Sequence, residues 1–375
     1  MTEAAATAGA LARIAAVSGQ RVDPPTLMPA EIILELSGEA VRSRLCTFTD
    51  AAGQEFCLRP DLTTPIAKLV ASGDLPAARY HSSGPVYRLP RRGSNDPVEH
   101  VQLGFEWFGQ SEANKRASPD EDAEALAVAL EAAKAGVVAS ASVRFGDVAL
   151  YHAVIDALDF SPQWKDRLRR AFSRRKGPRE LLGVIAKGQT GIPALAASIG
   201  KLSEADAVRA VEQMLADTGV EAVGRSVEDI AERLRDKAAD RAPDTKTSAL
   251  LARYLDLSAP AGKSTEALAA FAKDAGLLIA PALEAYGQRL ARIEALKPPF
   301  WSDAVFSAEA GRSFEYYDGF VFELARTKSP DRPIVSGGRY DGLITRLSGG
   351  ARQASAIGAA LRADRLGPED QRRSP

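Results

Sequence analysis

The sequence predicts an α+β fold, because strand-like and helical patterns occupy different parts of the chain. Apolar runs typical of β-strands occur in pairs joined by turn residues, at residues 45–58 and again at 78–109. A further strand pair is indicated at 311–324. Residues 153 to about 297 are instead almost wholly helical in pattern and rich in Ala, Leu, Arg and Glu. We therefore expect strand-rich segments on both sides of a helical region.

The individual elements follow from local spacing and from turn residues. Apolar side chains at helical spacing, together with ordinary start and stop signals, predict helices at residues 1–20, 32–45, 65–70 and 120–134. Runs bounded by turn residues predict strands at 45–48, 55–58, 78–89, 98–109 and 142–148.

Composition narrows the class of protein. Lys plus Arg is 48 and Asp plus Glu is 49, so the net charge of −1 gives no global reason to expect nucleic-acid binding. The two cysteines, Cys46 and Cys57, cannot form a disulfide framework, and with three histidines they do not show metal-ligand spacing. No apolar run approaches the ~20 residues that a membrane span needs. We expect a cytoplasmic globular protein with no metal or cofactor.

The stretch Gly311–Leu324 gathers the most unusual chemistry, with five aromatic residues in a chain that is 6% aromatic. Asp318-Gly319 between aromatic runs predicts a two-residue hairpin turn. That register would place Arg312, Tyr316 and Glu323 on one face, and Tyr317 and Phe322 on the other. A guanidinium, a carboxylate and phenols suit a small ligand that carries a carboxylate and a cationic group. A core hairpin with one surface ion pair is the alternative.

Two motifs give the first family resemblance. Arg312-Ser313-Phe314-Glu315-Tyr316-Tyr317 resembles the histidine-binding signature of histidyl-tRNA synthetases, and Gly337-Gly338-Arg339-Tyr340-Asp341-Gly342-Leu343 is similar to the block that follows it in those enzymes. Leu58-Arg59-Pro60-Asp61-Leu62-Thr63 resembles a third block, and Arg88 to Gly104 looks like motif 2 of the class II synthetases. The order and spacing of the motifs make the resemblance specific.

The resemblance implies an antiparallel sheet flanked by helices, as in the class II synthetase core, with a helical insertion. The implied segments are 1–152, the first part of the core, 153–299, the insertion region, and 300–375, the second part of the core. The second part includes a segment similar to motif 3, Ala356 to Leu366, which implies a strand leading into a helix. Within the insertion, basic residues cluster at Arg169, Arg170, Arg174, Arg175, Lys176 and Arg179. This cluster is either a solvated helix face or a contact for a phosphate group or a partner protein.

The resemblance also implies a histidine-binding site. Its residues are Asp61, Thr63, Arg88, Gln102, Glu106, Arg312, Tyr316 and Tyr317. Arg88 and Arg312 would hold the carboxylate, and Asp61, Thr63 and Gln102 would hold the amino group. Glu106 and Tyr317 would contact the imidazole; Gln102 and Glu106 share one face of their strand. For Asp61, a plain helix cap is the alternative reading.

The sequence departs from the synthetases at positions that contact ATP in those enzymes. Pro90 replaces an acid that recognises adenine, His100 replaces a stacking aromatic, and Arg362 replaces a glycine. Arg365, which packs against ATP in those enzymes, is retained. The chain ends nine residues after Leu366, so we expect no anticodon-binding domain.

A histidine site without an adenylation site resembles the ATP phosphoribosyltransferase regulatory subunits. This resemblance implies a non-catalytic protein of histidine biosynthesis that dimerises, assembles with short-form catalytic subunits and binds L-histidine for feedback inhibition, with no tRNA and no membrane. The alternatives are a catalytically active truncated histidyl-tRNA synthetase or related amino-acid-activating enzyme, and an interaction scaffold with a dead pocket.

Overall fold

The computed structural model describes residues 2–37, 39–90, 92–94, 96–110, 118–172, 177–186, 194–219, 226–239, 243–311 and 316–368. The chain divides into two compact units. The first unit combines Met1–Ala153 with Asp256–Pro375, and the second is Val154–Leu255. In the portion of the chain that the structure describes, no helix is both long and apolar enough to cross a membrane.

The first unit is built on a large, mostly antiparallel sheet. In chain order the strands are β1 (Gln20–Arg21), β2 (Leu27–Pro29), β3 (Thr47–Thr49), β4 (Glu55–Leu58), β5 (Arg79–Tyr87), β6 (Glu99–Gln110), β7 (Ala141–Asp147), β8 (Ser258–Pro260), β9 (Val305–Ser307), β10 (Phe320–Arg326), β11 (Ser329–Arg339) and β12 (Ala354–Arg362). Over the described residues, nine of them form one sheet in the order β1-β5-β6-β12-β11-β10-β7-β9-β8, and β2-β4-β3 form a small second sheet. The pairs β1–β5 and β7–β9 are parallel, and the other pairs are antiparallel.

Helices occupy both units. In chain order they are α1 (Glu3–Ala15), α2 (Ala30–Ser37), α3 (Thr63–Ser72), α4 (Pro119–Ala135), α5 (Val148–Ala157), α6 (Pro162–Phe172), α7 (Gly177–Ala186), α8 (Ala194–Ile199), α9 (Glu204–Thr218), α10 (Val227–Ala239), α11 (Thr245–Leu255), α12 (Ala261–Ala275), α13 (Ala280–Leu296) and α14 (Gly342–Leu347). Short 3₁₀ helices lie at Glu39–Arg44 and Ala363–Arg365. The long helix α4 begins with Ser118 as its N-cap, Pro119 at its first position and three acidic residues in its first turn, all of which favour a helix start.

The central strands present different residues on the two faces of the large sheet. Gln102, Gly104 and Glu106 alternate along β6, and Gly358 and Ala360 of β12 share their face because directly paired residues point the same way. The opposite face packs against α1, α4 and α13, which cover it with a helical layer. The face with Gln102 and Glu106 is covered in part by α3 and α14, and it carries the cavity described below.

A buried ion-pair network joins the helical layer to the sheet. The Asp122 carboxylate on α4 accepts from Arg339 Nε at 2.6 Å and from Arg289 Nε of α13 at 2.5 Å. The Arg289 guanidinium also donates to Asp147 at 2.5 Å, and that of Arg339 donates to Asp341 at 3.0 Å. The Asp122 side chain has 0% exposure and the Arg339 side chain 2%. Burial alone would lower the pKa of Arg339, and the Asp122 and Asp341 carboxylates raise it above its ordinary value.

The predicted α+β architecture, an antiparallel sheet flanked by helices, is confirmed, whereas several predicted limits are wrong. The helix expected at 32–45 ends at Ser37 and is followed by the 3₁₀ segment Glu39–Arg44. The segment similar to motif 3 is a strand, β12, followed only by the 3₁₀ turn Ala363–Arg365 instead of an α-helix in the described residues. There the Arg326 guanidinium donates to the carbonyls of Arg365 and Gly367, so it ties down the backbone just after the turn.

The hairpin predicted at Asp318-Gly319 is also wrong, and Tyr316 and Tyr317, which it would place on opposite faces, both line the cavity described below. Tyr316 lies in a turn and Gly319 in a bend, β10 begins at Phe320, and the hairpin of this region joins β10 to β11 at residues 327–328. The physical reason is the Asp318 carboxylate, which accepts from the amides of Asp341 at 3.1 Å and Gly342 at 2.6 Å instead of closing a local turn. The first predicted strand falls largely on 312–315, outside the described residues.

The second unit is helical, but it is shorter than the insertion region expected at 153–299. Helices α8, α9 and α10 pack around Ile199, Ala207, Val211 and Ala231. Helices α12 and α13 belong to the first unit, because the ion pairs of Arg289 hold α13 against α4 and β7. In the predicted basic cluster, Arg169 pairs with Asp156 and with Asp166; Arg174, Arg175 and Lys176 lie outside the described residues.

We predict that Asp122→Asn strongly destabilises the first unit. The substitution leaves two buried guanidinium groups without their shared carboxylate, and breaking such a pair costs ~3–5 kcal/mol. Glu124→Gln on the same helix is the matched control, because Glu124 pairs with Arg79 where both side chains are about two-fifths exposed. We expect ~1 kcal/mol or less for that surface pair. Urea unfolding measures both; equal losses would show that the Asp122 network does not hold the layers together.

Candidate functional site

One small cavity lies on the face of the large sheet that carries Gln102 and Glu106. It is lined by side chains from the segment before and within α3, the ends of β5 and β6, the residues before β10, and β11 and β12: Asp61, Thr63, Arg88, Gln102, Tyr316, Tyr317, Ser336, Tyr340, Gly358, Ala359 and Ala360. Its volume is about 10 Å³. That is about the room that one water molecule needs. The cavity is therefore too small for an amino acid as it stands, and a ligand of that size has to displace side chains.

The segment Leu58–Thr63 is fixed by Arg59, whose side chain is buried. The guanidinium of Arg59 donates to the carbonyls of Pro85 and Pro24 and passes beneath Gly84, where a Cβ would lie 2.7 Å from Nη2. A glycine at this strand position is what allows the side chain to cross. The crossing sets the position of the next residues, which line the cavity.

Asp61 has two roles at once. Its Oδ1 accepts from the amide of Thr64 at 2.7 Å, which satisfies one of the free donors at the start of α3. The same side chain lines the cavity and is 5% exposed. The helix-cap reading and the binding-site reading are therefore compatible in this geometry.

Arg88 brings a cation to the cavity from the end of β5. Its Nε donates to the carbonyl of Pro60 at 2.5 Å, and its backbone amide donates to the carbonyl of Val98. Burial lowers the pKa of Arg88, and the Asp61 carboxylate acts in the opposite direction. A guanidinium is always protonated in proteins. Arg88 thus supplies a positive charge next to Asp61.

Glu106 lies behind the cavity lining, hydrogen-bonded to Thr63 and Tyr340, with both carboxyl oxygens engaged. Oε1 accepts from Thr63 Oγ1 at 2.5 Å and Oε2 accepts from the Tyr340 hydroxyl. The residue is 2% exposed. Burial raises the pKa of Glu106 to about 8, Asp61 adds to the rise, and the hydrogen bonds from Thr63 and Tyr340 reduce it.

Gly358 of β12 makes room for that carboxyl. It pairs with Glu106 across the strands, and a Cβ on Gly358 would lie 1.8 Å from Glu106 Oε2 and 2.6 Å from the carbonyl oxygen of Phe105. Real Cβ atoms do not approach other atoms this closely, so only glycine allows the Glu106 side chain to lie across the sheet.

Three tyrosines form the aromatic wall of the cavity. The ring centroids of Tyr316 and Tyr317 are 4.9 Å apart, those of Tyr316 and Tyr340 5.6 Å, and those of Tyr317 and Tyr340 6.3 Å. Asp318 holds the segment that carries the first two, through the amides of Asp341 and Gly342. Burial raises the pKa of Asp318 to about 7, and the hydrogen bond from Gly342 opposes the rise.

The chemistry of the cavity suits a small ligand with charges of both signs. Asp61 and the amide of Gln102 can receive an ammonium group, Arg88 can pair with a carboxylate, and the tyrosine rings can surround a polar ring. The described residues contain no group of three or more His, Cys, Asp or Glu side chains arranged to hold a metal ion.

On the nucleotide side of the resemblance, His100 is buried with neither ring nitrogen hydrogen-bonded in the described structure. Burial lowers its pKa to about 3, and Arg362 and Arg88 lower it further. Arg362 is held by Asp364 through two parallel hydrogen bonds of 2.8 Å. His100 is thus a neutral ring beside a cation that already has a carboxylate.

Arg365 is likewise engaged within the chain. Its guanidinium donates to the Pro333 carbonyl at 2.6 Å and to Asp96 at 3.2 Å, and Asp96 also accepts from Arg332 at 2.8 Å. Arg365, for which the synthetase resemblance implies a contact to ATP, therefore already has partners in this structure, as does Arg362, which stands where the resemblance has a glycine.

The structure brings most of the predicted site residues together. Six of them line the cavity: Asp61, Thr63, Arg88, Gln102, Tyr316 and Tyr317. Glu106 adjoins it through its two hydroxyl partners. Arg312 lies outside the described residues. Sequence reasoning missed the role of Tyr340, although the motif that contains it was recognised; a buried tyrosine needs a partner for its hydroxyl, and that could have pointed to Glu106.

Comparison with known proteins agrees with this geometry. A family model described as histidyl-tRNA synthetase matches residues 2–242 and 231–366. Among solved structures, an ATP phosphoribosyltransferase regulatory subunit/histidyl-tRNA synthetase from Bacillus halodurans has a TM-score of 0.65 at 21% identity, covering 98% of this chain and 80% of that one. A histidyl-tRNA synthetase from Nostoc has a TM-score of 0.61 at 14% identity, covering 97% and 70%. The fold and the cavity define a protein of the histidyl-tRNA synthetase class.

Sequence relatives define the family more closely. The ATP phosphoribosyltransferase regulatory subunit of Allorhizobium ampelinum is 33% identical over 94% of both chains. The protein with the same name from Rhizobium rhizogenes is 33% identical over 95% of both. The chain belongs to the family of ATP phosphoribosyltransferase regulatory subunits.

We predict that Gly358→Ala lowers the free energy of unfolding by ~1–3 kcal/mol, the usual range for overpacking, because the added methyl overlaps the Glu106 carboxyl and the backbone of Phe105. Gly262→Ala on α12 is the control: nothing lies within 4 Å of a Cβ there, so the change should be neutral or stabilising by up to ~1 kcal/mol. Urea unfolding of both variants is the measurement. No loss in Gly358→Ala would contradict the close approach of Glu106 to β12.

Proposed function

We propose that this chain is a non-catalytic regulatory subunit that activates a short-form ATP phosphoribosyltransferase catalytic subunit and binds L-histidine for feedback inhibition. Its dimer would assemble with catalytic subunits into a hetero-oligomer. The observation that carries the proposal is the convergence of Asp61, Arg88, Gln102 and Tyr317 on one cavity, in a family whose relatives bear the regulatory name.

The proposed pose of histidine follows the charges of the cavity. Arg88, with Arg312, would pair with the carboxylate, and Asp61, Thr63 and Gln102 would hold the ammonium. Glu106 and Tyr317 would contact the imidazole. Hydrogen bonds that involve a charged partner contribute ~1.5–3 kcal/mol each. Several such contacts at both ends of the ligand would distinguish histidine from amines or acids that carry only one of its groups.

The absence of catalysis is inferred from the nucleotide side. Pro90 offers no acceptor side chain and no amide donor for adenine. Arg362 and Arg365 are bonded to Asp364 and Asp96. An incoming nucleotide would have to break these pairs before it could use the two guanidinium groups. An amino-acid-activating enzyme is therefore the less favoured function.

The small cavity gives the inhibition a physical basis. A volume of about 10 Å³ cannot contain histidine, so histidine has to bind a conformation in which the lining side chains have moved. A ligand shifts an equilibrium only by the difference between its affinities for the two states. A coupling of ~1–3 kcal/mol would change activity several-fold or more and would be reciprocal between the sites.

We predict that the purified chain binds a short-form ATP phosphoribosyltransferase catalytic subunit and raises its rate, and that histidine suppresses the increase. Co-purification and the rate of the catalytic subunit with and without this chain measure both effects. Gln102→Leu is the variant to compare: it should keep the activation and lose the response to histidine, because Gln102 lies in the cavity.

The same preparation provides the contrary test. The chain alone should not exchange pyrophosphate into ATP in a histidine-dependent reaction. Exchange at the rate of an ordinary synthetase, or a catalytic subunit that is neither bound nor activated, would contradict the regulatory function.

We predict that histidinol, which lacks the carboxylate, binds roughly ten- to a hundred-fold more weakly than histidine, because one charge-assisted contact is lost. Arg88→Met should weaken histidine to a similar extent and leave histidinol nearly unchanged, since only histidine presents the group that Arg88 pairs with. Calorimetry measures the affinities of histidine and histidinol for the unmodified chain and for Arg88→Met.

Arg44→Met is the matched control for Arg88→Met. Arg44 donates to the carbonyl of Leu89, the residue after Arg88, but does not line the cavity. It should retain the preference for histidine. Equal binding of the two ligands by the unmodified chain would place the carboxylate contact elsewhere.

A further inference from the structure

Glu106 is a buried acid whose two hydrogen-bond partners are both uncharged hydroxyls. Thr63 donates to Oε1 and Tyr340 to Oε2. Among the described residues, no arginine, lysine or histidine side chain lies within ion-pair distance of it. A carboxylate buried without a cation is costly, and such a group keeps its proton instead. The pKa of about 8 that burial gives Glu106 agrees with a neutral acid at pH 7.

We propose that the Glu106 carboxyl gives its proton to the ring nitrogen of the bound amino acid, and that Tyr340 is the positioning residue for this transfer. The inference rests on the proposed histidine site. The O–H bond of the acid breaks, an N–H bond forms on the ring, and the products are a carboxylate and a cationic ring. No other reactant is needed, because the proton stays between the two partners.

The surroundings of Glu106 explain why the proton can move. The Thr63 and Tyr340 hydroxyls donate to the carboxyl oxygens, which favours the ionised form that the transfer produces. Gly358 leaves space for the carboxyl to lie against β12 in one orientation. An acid that is held by two hydroxyl donors, with no cation at ion-pair distance among the residues that the structure describes, becomes a carboxylate when the ligand itself supplies the positive charge.

The other titratable groups around Glu106 lie on three segments: the residues before α3, the residues before β10, and the end of β5. Asp61 precedes α3, and its negative charge favours the protonated acid. Tyr316 and Tyr317 lie before β10, and burial raises the pKa of both above the ordinary value. Arg88, at the end of β5, is electrostatically coupled to Asp61 and to both tyrosines. At neutral pH the tyrosines remain neutral, so Glu106 is the group that exchanges a proton with the ligand.

This transfer defines the class of ligand. The site selects an amino acid whose ring is a base, such as imidazole, because the imidazolium that forms pairs with the Glu106 carboxylate, and this pairing offsets the lower pKa of the free ring. An analogue of the same shape with a weaker base, β-(1,2,4-triazol-3-yl)alanine, should bind roughly ten- to a hundred-fold more weakly, because a charge-assisted bond becomes a neutral one.

The first measurement counts protons. Calorimetry of histidine binding in buffers with different ionisation enthalpies gives the number of protons taken up at each pH. A free imidazole has a pKa of about 6.5. With Glu106 protonated in the empty site, we expect almost no net uptake near pH 7 and nearly one proton at pH well above 8. If Glu106 were already ionised, most of a proton would be taken up near pH 7, which would overturn the proposal.

The second measurement locates the proton. The ¹⁵N chemical shifts of labelled histidine in the complex should be those of an imidazolium at pH 7. A neutral ring in the complex would overturn the transfer even if the proton count fits. In the ligand-free protein, the infrared band of a protonated carboxyl should disappear in Glu106→Gln and on addition of histidine. Its absence from the ligand-free protein would contradict the proposal without depending on affinity.

The third measurement separates positioning from packing. Tyr340→Phe keeps the ring in the aromatic wall and removes one donor from the carboxylate, so the pKa of Glu106 rises. The pH at which proton uptake begins should move upward, and histidine should bind about ten-fold more weakly. Tyr80→Phe is the control, because its buried hydroxyl donates to Pro76 instead.

The outcomes for the two tyrosine variants are distinct. We expect Tyr80→Phe to leave the uptake profile in place. If both variants or neither shift the profile, Tyr340 has no positioning role. A chain that does not bind histidine at all contradicts the proposed function, whereas tight binding with a full proton taken up near pH 7 contradicts only this inference.

Discussion

The Asp122 carboxylate determines how the site is assembled, because it receives two buried arginines from different parts of the chain. Arg289 brings α13 against α4, and Arg339 brings the end of β11 to the same point. Arg339 also holds Asp341, whose carboxylate accepts from the amide of Ala356 at 2.7 Å and so aligns the start of β12. A charge buried at this depth is tolerated only when it is fully paired. The ion pairs of Asp122 therefore hold the helical layer, the sheet and the floor of the cavity together.

The amino-acid half and the nucleotide half of the synthetase-like site differ in this chain. On the amino-acid half, Asp61, Gln102 and Arg88 meet at a cavity and keep chemistry suited to a zwitterion. On the nucleotide half, Arg362 and Arg365 are bonded to acids of the chain itself. Internal pairing lowers the free energy of the empty state and so weakens any ligand that competes for the same guanidinium groups. Under the proposed function, this difference suits a protein that binds an amino acid without activating it.

Much of the fold could be predicted from the sequence, because the strands β5 and β6 and the helix α4 carry regular patterns and clear turn or cap residues. The resemblance to histidyl-tRNA synthetases implied six of the residues that meet at the cavity. The hairpin at Asp318 failed, since that carboxylate bonds to amides more than twenty residues away, which no local pattern reveals. Tyr340 was missed for the same reason: its role depends on the depth of Glu106 and on the space above Gly358. Long-range hydrogen bonds and burial appear only in three dimensions.

The small cavity has a kinetic consequence. When a binding site is occluded, association waits for the protein to open, so the rate constant falls below the values typical of preformed sites. Under the proposed function, an amino acid that enters between Arg88 and the tyrosine rings would wait for the lining side chains to move, and that motion would limit the time of response. The bound fraction of such a site would not follow changes in ligand concentration that are faster than this motion. It would follow only changes that last longer. A sensor built on such a site acts as a filter in time as well as a detector of concentration.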